Sequence, residues 1–144
     1  MKIFTKNKQG FTLAELMAVV MIVAILAGIA IGAYHKAIER SQFNEGLSVA
    51  NAIMAASDQY FYDFNANPST IADLSLDISG GTISTLTLTT DKFIFTLVPK
   101  SYTTAKRING NYSIKVLTSI NSTGAITCSQ TAAGGSDFCK SVGY

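Results

Sequence analysis

Hydrophobic and polar positions divide the chain into three regimes. From Leu16 to Tyr34 no residue is charged, and an apolar run of about 20 residues is long enough to cross a bilayer as a helix. Beyond Tyr34 the apolar positions narrow to a stripe. Phe43, Leu47, Ala50, Met54, Phe61 and Phe64 recur at three- to four-residue steps, with one double turn between Met54 and Phe61. That spacing predicts an amphipathic helix with one buried face. Glu39, Arg40, Gln42, Asn44, Glu45, Asp58 and Asp63 fall largely off the stripe. Asn65-Ala66-Asn67-Pro68 ends the helix, because the residue before a proline avoids the helical region. Phe11 to about Asn65 thus reads as one rod of roughly 80 Å at 1.5 Å per residue. Its first half is apolar all round and requires lipid or protein around it. Its second half is one-sided and requires a sheet.

In the third regime the period falls to two. Pro68–Leu74 predicts a loop with one helical turn, and Gly80-Gly81 breaks it. Ile83–Thr89 alternates through Leu86 and Leu88, as a strand or edge segment does. Phe93–Val98 is a strand with Phe93, Phe95 and Leu97 on one face, closed by Pro99. Asn109-Gly110 is a turn signal. Tyr112–Ser119 sets Tyr112, Ile114 and Val116 against Ser113 and Lys115. Asn121-Ser122-Thr123-Gly124 then turns the chain into Ala125–Ser129. The predicted class is α+β: a long N-terminal helix, its first half transmembrane, packed on the apolar face of a small antiparallel sheet.

Composition fits a membrane segment rather than disorder, since 48% of the 144 residues are hydrophobic and 14% charged. The net charge is +2, with eleven basic residues against nine acidic. Three of the basic residues, Lys2, Lys6 and Lys8, precede Gly10. Without Met1–Gly10 the balance is eight basic to nine acidic, or −1, which gives no electrostatic argument for nucleic acid. The three lysines predict that this end stays cytoplasmic and the remainder is exported. A secretory signal would be cut after its apolar region. Here the run continues into His35-Lys36-Ala37-Ile38-Glu39-Arg40, so hydropathy alone describes an uncleaved anchor.

Few side chains suggest chemistry. Glu15 is the lone acid beside the run. A carboxylate at the edge of a span calls for a partner, although a helix N-terminus also favours it. Gly28-Ile29-Ala30-Ile31-Gly32 has the small-xxx-small spacing of close helix packing, and its glycines also weaken the helix. Cys128 and Cys139 enclose ten residues including Gly134-Gly135. Export allows a disulfide, while two free thiols or a metal pair stay open. His35 reads as an interfacial residue. Asp73 and Asp77 read as solvated acids rather than calcium ligands, Lys106-Arg107 as loop surface, and Tyr34, Tyr60 and Tyr62 as packing. Asn111-Tyr112-Ser113 and Asn121-Ser122-Thr123 match a glycosylation triplet that is frequent by chance. With no Ser-His-Asp set, HExxH or phosphate-binding glycine loop, the sequence predicts no enzyme, no cofactor and no metal.

Gly10-Phe11-Thr12-Leu13-Ala14-Glu15-Leu16 closely resembles the processing site of type IV prepilins and of the pseudopilins of type II secretion. The resemblance implies a prepilin peptidase that cuts between Gly10 and Phe11 and then N-methylates Phe11. It implies that Glu15 pairs with the new amine of a neighbouring subunit during assembly. It also implies that Gly28 and Gly32 lie where the helix extends in fibres, Gly32 standing where many relatives have proline. It favours the bond between Cys128 and Cys139, and it makes residues 65–92 a variable connection. The divisions become a leader at 1–10, a transmembrane or filament-core helix at 11–34, its amphipathic half at 35–65, and a sheet domain at 66–144. The implied function is a structural subunit of a type IV pilus, serving adhesion, motility or DNA uptake. It would be held in the bacterial inner membrane and then built into a homo-oligomeric extracellular fibre by an assembly platform and an external ATPase. A pseudopilin or minor pilin is the alternative, and the cysteine pair without clustered acids favours the pilus. A single-pass anchored binding module is a third reading.

Overall fold

A computed structural model describes residues 10–76, 78, 80–120, 124–130 and 138–144. Met1–Gln9 with its three lysines, Asp77, the triplet Asn121-Ser122-Thr123 and Gly134-Gly135 lie outside the described residues. The chain falls into two compact units, Met1–Glu39 and Arg40–Tyr144.

Helix α1 covers Leu13–Phe64. In the first unit, every residue from Gly10 to Ala37 is exposed. The segment is long and apolar enough to cross a membrane, and it has no polar face to turn toward water. In the second unit the helix buries one face, formed by Phe43, Gly46, Ala50, Ile53, Met54, Ser57 and Asp58. The expected stripe holds at Phe43, Ala50 and Met54. It fails at Phe64, which is 66% exposed and packs on Tyr60 of its own helix at 4.7 Å between ring centroids. It also fails at Asp58, which is 6% exposed rather than on the solvent side. The helix ends as its sequence requires. Asn65 takes the left-handed conformation (φ +49°), and its N–H donates to Phe61 O at 2.9 Å, an αL cap.

A one-turn 3₁₀ helix, Ile71–Asp73, follows. Asp73 accepts the Ser69 and Thr70 N–H groups at 3.0 and 2.8 Å, so this acid organises its own turn. Six antiparallel strands then run in sequence order: β1 Thr82–Ser84, β2 Thr87–Thr89, β3 Phe93–Val98, β4 Tyr102–Arg107, β5 Tyr112–Leu117 and β6 Ile126–Gln130. The expected segment Ile83–Thr89 is a hairpin instead of one strand. Ser84 pairs with Thr87 across a two-residue loop that opens on Thr85 at φ +50°.

β4 stands where the sequence shows no apolar alternation. Its inward residues are Thr103 and Ala105, both fully buried. Six residue pairs to β3 and five to β5 hold it in the sheet. Lys106-Arg107 is therefore strand rather than loop. The Arg107 guanidinium donates to Gln42 Oε1 and lies 5.4 Å from the Phe93 ring centroid. The turn before β4 places Lys100 at φ +59° after Pro99, with Ser101 N–H on Val98 O. Asn109-Gly110 does lie in the β4–β5 connection.

Alternation sets which face is buried. Leu88, Phe93, Phe95, Leu97, Ile114 and Val116 point inward and form one core with Phe43, Ala50, Ile53 and Met54 of α1. Gly46 lets the helix pack closely on Phe93, because a Cβ there would sit 2.7 Å from Phe93 Cζ.

Candidate processing and assembly site

The residues singled out near the N-terminus lie together at the start of α1. Gly10 and Phe11 precede the helix in an exposed, non-helical lead-in, and Phe11 is 84% exposed. Among the described residues, neither helix nor packed side chains surround the bond between Gly10 and Phe11. Thr12 is next, one residue before the first helical position. Its N–H and its hydroxyl both donate to Glu15 Oε2, at 2.9 and 2.8 Å. In return Glu15 N–H donates to Thr12 Oγ1 at 3.3 Å. This is a reciprocal capping box, which satisfies N–H groups that the helix itself leaves open.

Thr12 is the residue that sequence reasoning missed. The signal was present as Thr-x-x-Glu, the spacing of a capping box. Both bonds from Thr12 fall on one carboxylate oxygen, so Glu15 is oriented by its own chain. Gly28 and Gly32 lie within α1, whose helical hydrogen bonding runs through them without a break. A Cβ at either would meet nothing within 4 Å. Neither glycine is required by local geometry, and the helix is extended at neither.

The remaining pair is joined. Cys128 in β6 bonds to Cys139 in the short helix α2, Phe138–Ser141, with Cα atoms 5.6 Å apart. Free thiols and a shared metal are thereby excluded for these two residues. The staple is backed by rings. Phe138 stacks on Tyr112 at 4.7 Å between centroids, and Phe138 and Tyr144 each lie 5.7 Å from Phe43. Arg40 Nη2 donates to Ser141 O at 3.3 Å.

Residues 5–31 match the prokaryotic N-terminal methylation motif. The chain is 31% identical over 107 residues to the fimbrial protein EcpC of Eikenella corrodens, covering 72% of this chain and 70% of that one. It is 34% identical over 85 residues to the type IV major pilin protein PilE1 of Neisseria gonorrhoeae, covering 56% and 40%. Over 46 residues it is 52% identical to the type IV major fimbrial protein FimA of Dichelobacter nodosus, covering 32% and 29%. The match thus spans less than half the length of the last two relatives. No solved structure matches. A methylation motif on an exposed apolar helix, a disulfide-closed sheet domain, and a fimbrial relative matched over most of both chains place this chain in the type IV pilin family.

Proposed function

We propose that the chain is the structural subunit of a type IV pilus, processed at Gly10 and assembled through its apolar helix. The observation that carries this reading is the position of the methylation motif. The match covers residues 5–31, so among the described residues it takes in the exposed non-helical lead-in at 10–12 and the first part of an apolar helix that stays exposed as far as Ala37. Cleavage between Gly10 and Phe11 would leave that helix in the mature protein and create an amine at Phe11, which is then N-methylated. The division into leader 1–10, core helix 11–34, amphipathic half 35–65 and sheet domain 66–144 follows from that cut.

The subunit first resides in the inner membrane, with its N-terminus on the cytoplasmic side and the sheet domain exported. An assembly platform driven by an external ATPase then moves it into the fibre, where neighbouring helices replace lipid. Head-to-tail contacts that do not close produce an open helical filament. Glu15 supports registration. Thr12 holds Oε2, and Oε1 receives the Phe11 amine of a neighbour. Gly28 and Gly32 lower the cost of local helix extension by roughly 1 kcal/mol each relative to alanine. The fimbrial and major-pilin names of the relatives favour a fibre subunit over a secretion pseudopilin.

Shearing surface fibres and sequencing them by mass spectrometry tests this. Abundant chains beginning at methylated Phe11 are expected. Retention of the chain in the inner membrane of piliated cells, with none in the fibres, overturns it.

A further inference from the structure

The outer face of the sheet has a composition that strand preference alone does not explain. Register places Ser84, Thr87, Thr96, Thr104, Lys115 and Thr127 side by side in one row across all six strands. At about 4.8 Å per strand the row spans about 24 Å. The next row runs Thr89, Ile94, Lys106, Ser113 and Ser129, polar but for Ile94, and the Ser113 and Ser129 hydroxyls lie 2.8 Å apart. None of the row residues is buried, while alternate positions such as Phe95 and Ile114 are.

The six strands contain no acidic residue. Threonine suits a strand on its own account, but lysine is disfavoured there much as glutamate is. Two lysines and no glutamate on one face is therefore a bias of charge. The two lysines are diagonal neighbours, since Lys106 pairs with Ser113 and Lys115 with Thr104. Their Cα atoms are roughly 7 Å apart by that relation.

We propose that this face binds an acidic polysaccharide. Hydroxyls both donate and accept, so a row of them complements a polymer that is itself covered in hydroxyls. The lysine pair takes its carboxylates. A nucleic acid fits less well. Duplex DNA carries a charge about every 1.7 Å, which over the row is about 14 phosphates against two cations. Base stacking also lacks a platform here, because Lys115 Nζ already sits 3.8 Å over the Tyr102 ring. Binding is a property of one subunit and does not rest on fibre assembly. A fibre would only multiply it.

The test uses the full chain in detergent micelles, retained on beads bearing polygalacturonate, neutral dextran or random-sequence duplex DNA. Retention on polygalacturonate is expected to exceed that on dextran and on DNA at least tenfold. Lys106→Glu with Lys115→Glu, and separately Thr96→Val with Thr104→Val, are each expected to lower it at least fivefold. Lys100→Glu, off this face, is expected to change it less than twofold. If the double glutamate variant loses its near-ultraviolet circular dichroism, Lys106→Gln with Lys115→Gln replaces it, with the same loss expected. Equal retention on dextran or DNA, no effect of the threonine pair, or an equal loss from Lys100→Glu each overturns the proposal.

Discussion

Asp58, on the buried face of the helix, accepts a 2.7 Å hydrogen bond from Thr118 Oγ1, sixty positions along the chain. Its other oxygen accepts Ser119 N–H at 3.1 Å and Ser119 Oγ at 2.9 Å. One carboxylate thus fixes the exit of β5 against the helix. Removing it leaves the buried Thr118 hydroxyl without this acceptor, and leaving such a group unsatisfied costs about 1–3 kcal/mol.

Asp58→Ala is accordingly expected to destabilise the second unit by about 2 kcal/mol, and Thr118→Val by about 1 kcal/mol. The double variant should lose less than the sum, because the two groups share one bond. Urea unfolding of the full chain in micelles, followed by near-ultraviolet circular dichroism of tyrosine, reads all three. Strict additivity would show that the bond carries no stability of its own.

Gly46→Ala is a second case where local and tertiary preferences oppose each other. Alanine favours a helix by roughly 1 kcal/mol over glycine. Yet the added Cβ would lie 2.7–3.1 Å from three atoms of the Phe93 ring, and overpacking costs about 1–3 kcal/mol. Net destabilisation of about 1 kcal/mol is expected from these two terms. In a Phe93→Leu background the same substitution should become neutral or stabilising, because the ring is gone. A Gly46→Ala chain as stable as wild type in urea would show that Phe93 moves aside freely.

The staple between Cys128 and Cys139 encloses a short loop, and closing it contributes about 3 kcal/mol in the chain-entropy account. Cys128→Ser with Cys139→Ser should lower stability by that order. The ring contacts of Phe138 and Tyr144 predict that α2 does not simply dissociate. Limited proteolysis under native conditions should cut near Lys140 faster in the variant and in reduced wild type than in oxidised wild type, and reoxidation should slow the cut in wild type alone. Equal urea midpoints for reduced and oxidised wild type would assign the docking of α2 to its rings alone.

How much of this was legible in the sequence depended on whether a signal was local. Gly10, Phe11 and Glu15 stand within six consecutive residues. Phe93–Val98 declares itself through three inward apolar residues. The helix end was legible too, because Asn65 and Pro68 act through their own backbones. β4 was not, since Thr103 and Ala105 are small inward residues and the strand draws its support from both neighbours. Nothing local marks Asp58 as buried, because its partners lie about sixty residues away. It does stand four residues after Met54, on the same stripe. Phe64 is the converse case, exposed because the apolar periodicity runs on past the last residues the helix buries.

The capping bonds of Glu15 and its proposed part in assembly are separable, and its variants tell them apart. At the N3 position of a capping box it holds the helix start, a contribution of about 1 kcal/mol. In the assembly proposed above it would also act as a charge, offering the Phe11 amine of a neighbouring subunit a counterion at the edge of an apolar environment, where an unpaired charge is costly. Glutamine can serve the capping box but carries no charge. If charge governs assembly, Glu15→Gln and Glu15→Ala should both be cleaved and exported, and both should give sheared-fibre yields at least tenfold below wild type. If capping governs it, Glu15→Gln should assemble normally and Glu15→Ala alone should fail. Thr12 sharpens the comparison. Thr12→Ser keeps the hydroxyl bonded to Oε2 and should assemble as wild type. Thr12→Val keeps only the N–H bond, frees the carboxylate to rotate, and should lower yield two- to fivefold without affecting processing. The readout is fibre protein relative to membrane-retained protein, with the mass of the retained N-terminus reporting whether it begins at methylated Phe11. Wild-type fibre yield from Glu15→Ala would remove both duties at once and leave the carboxylate with no part in assembly.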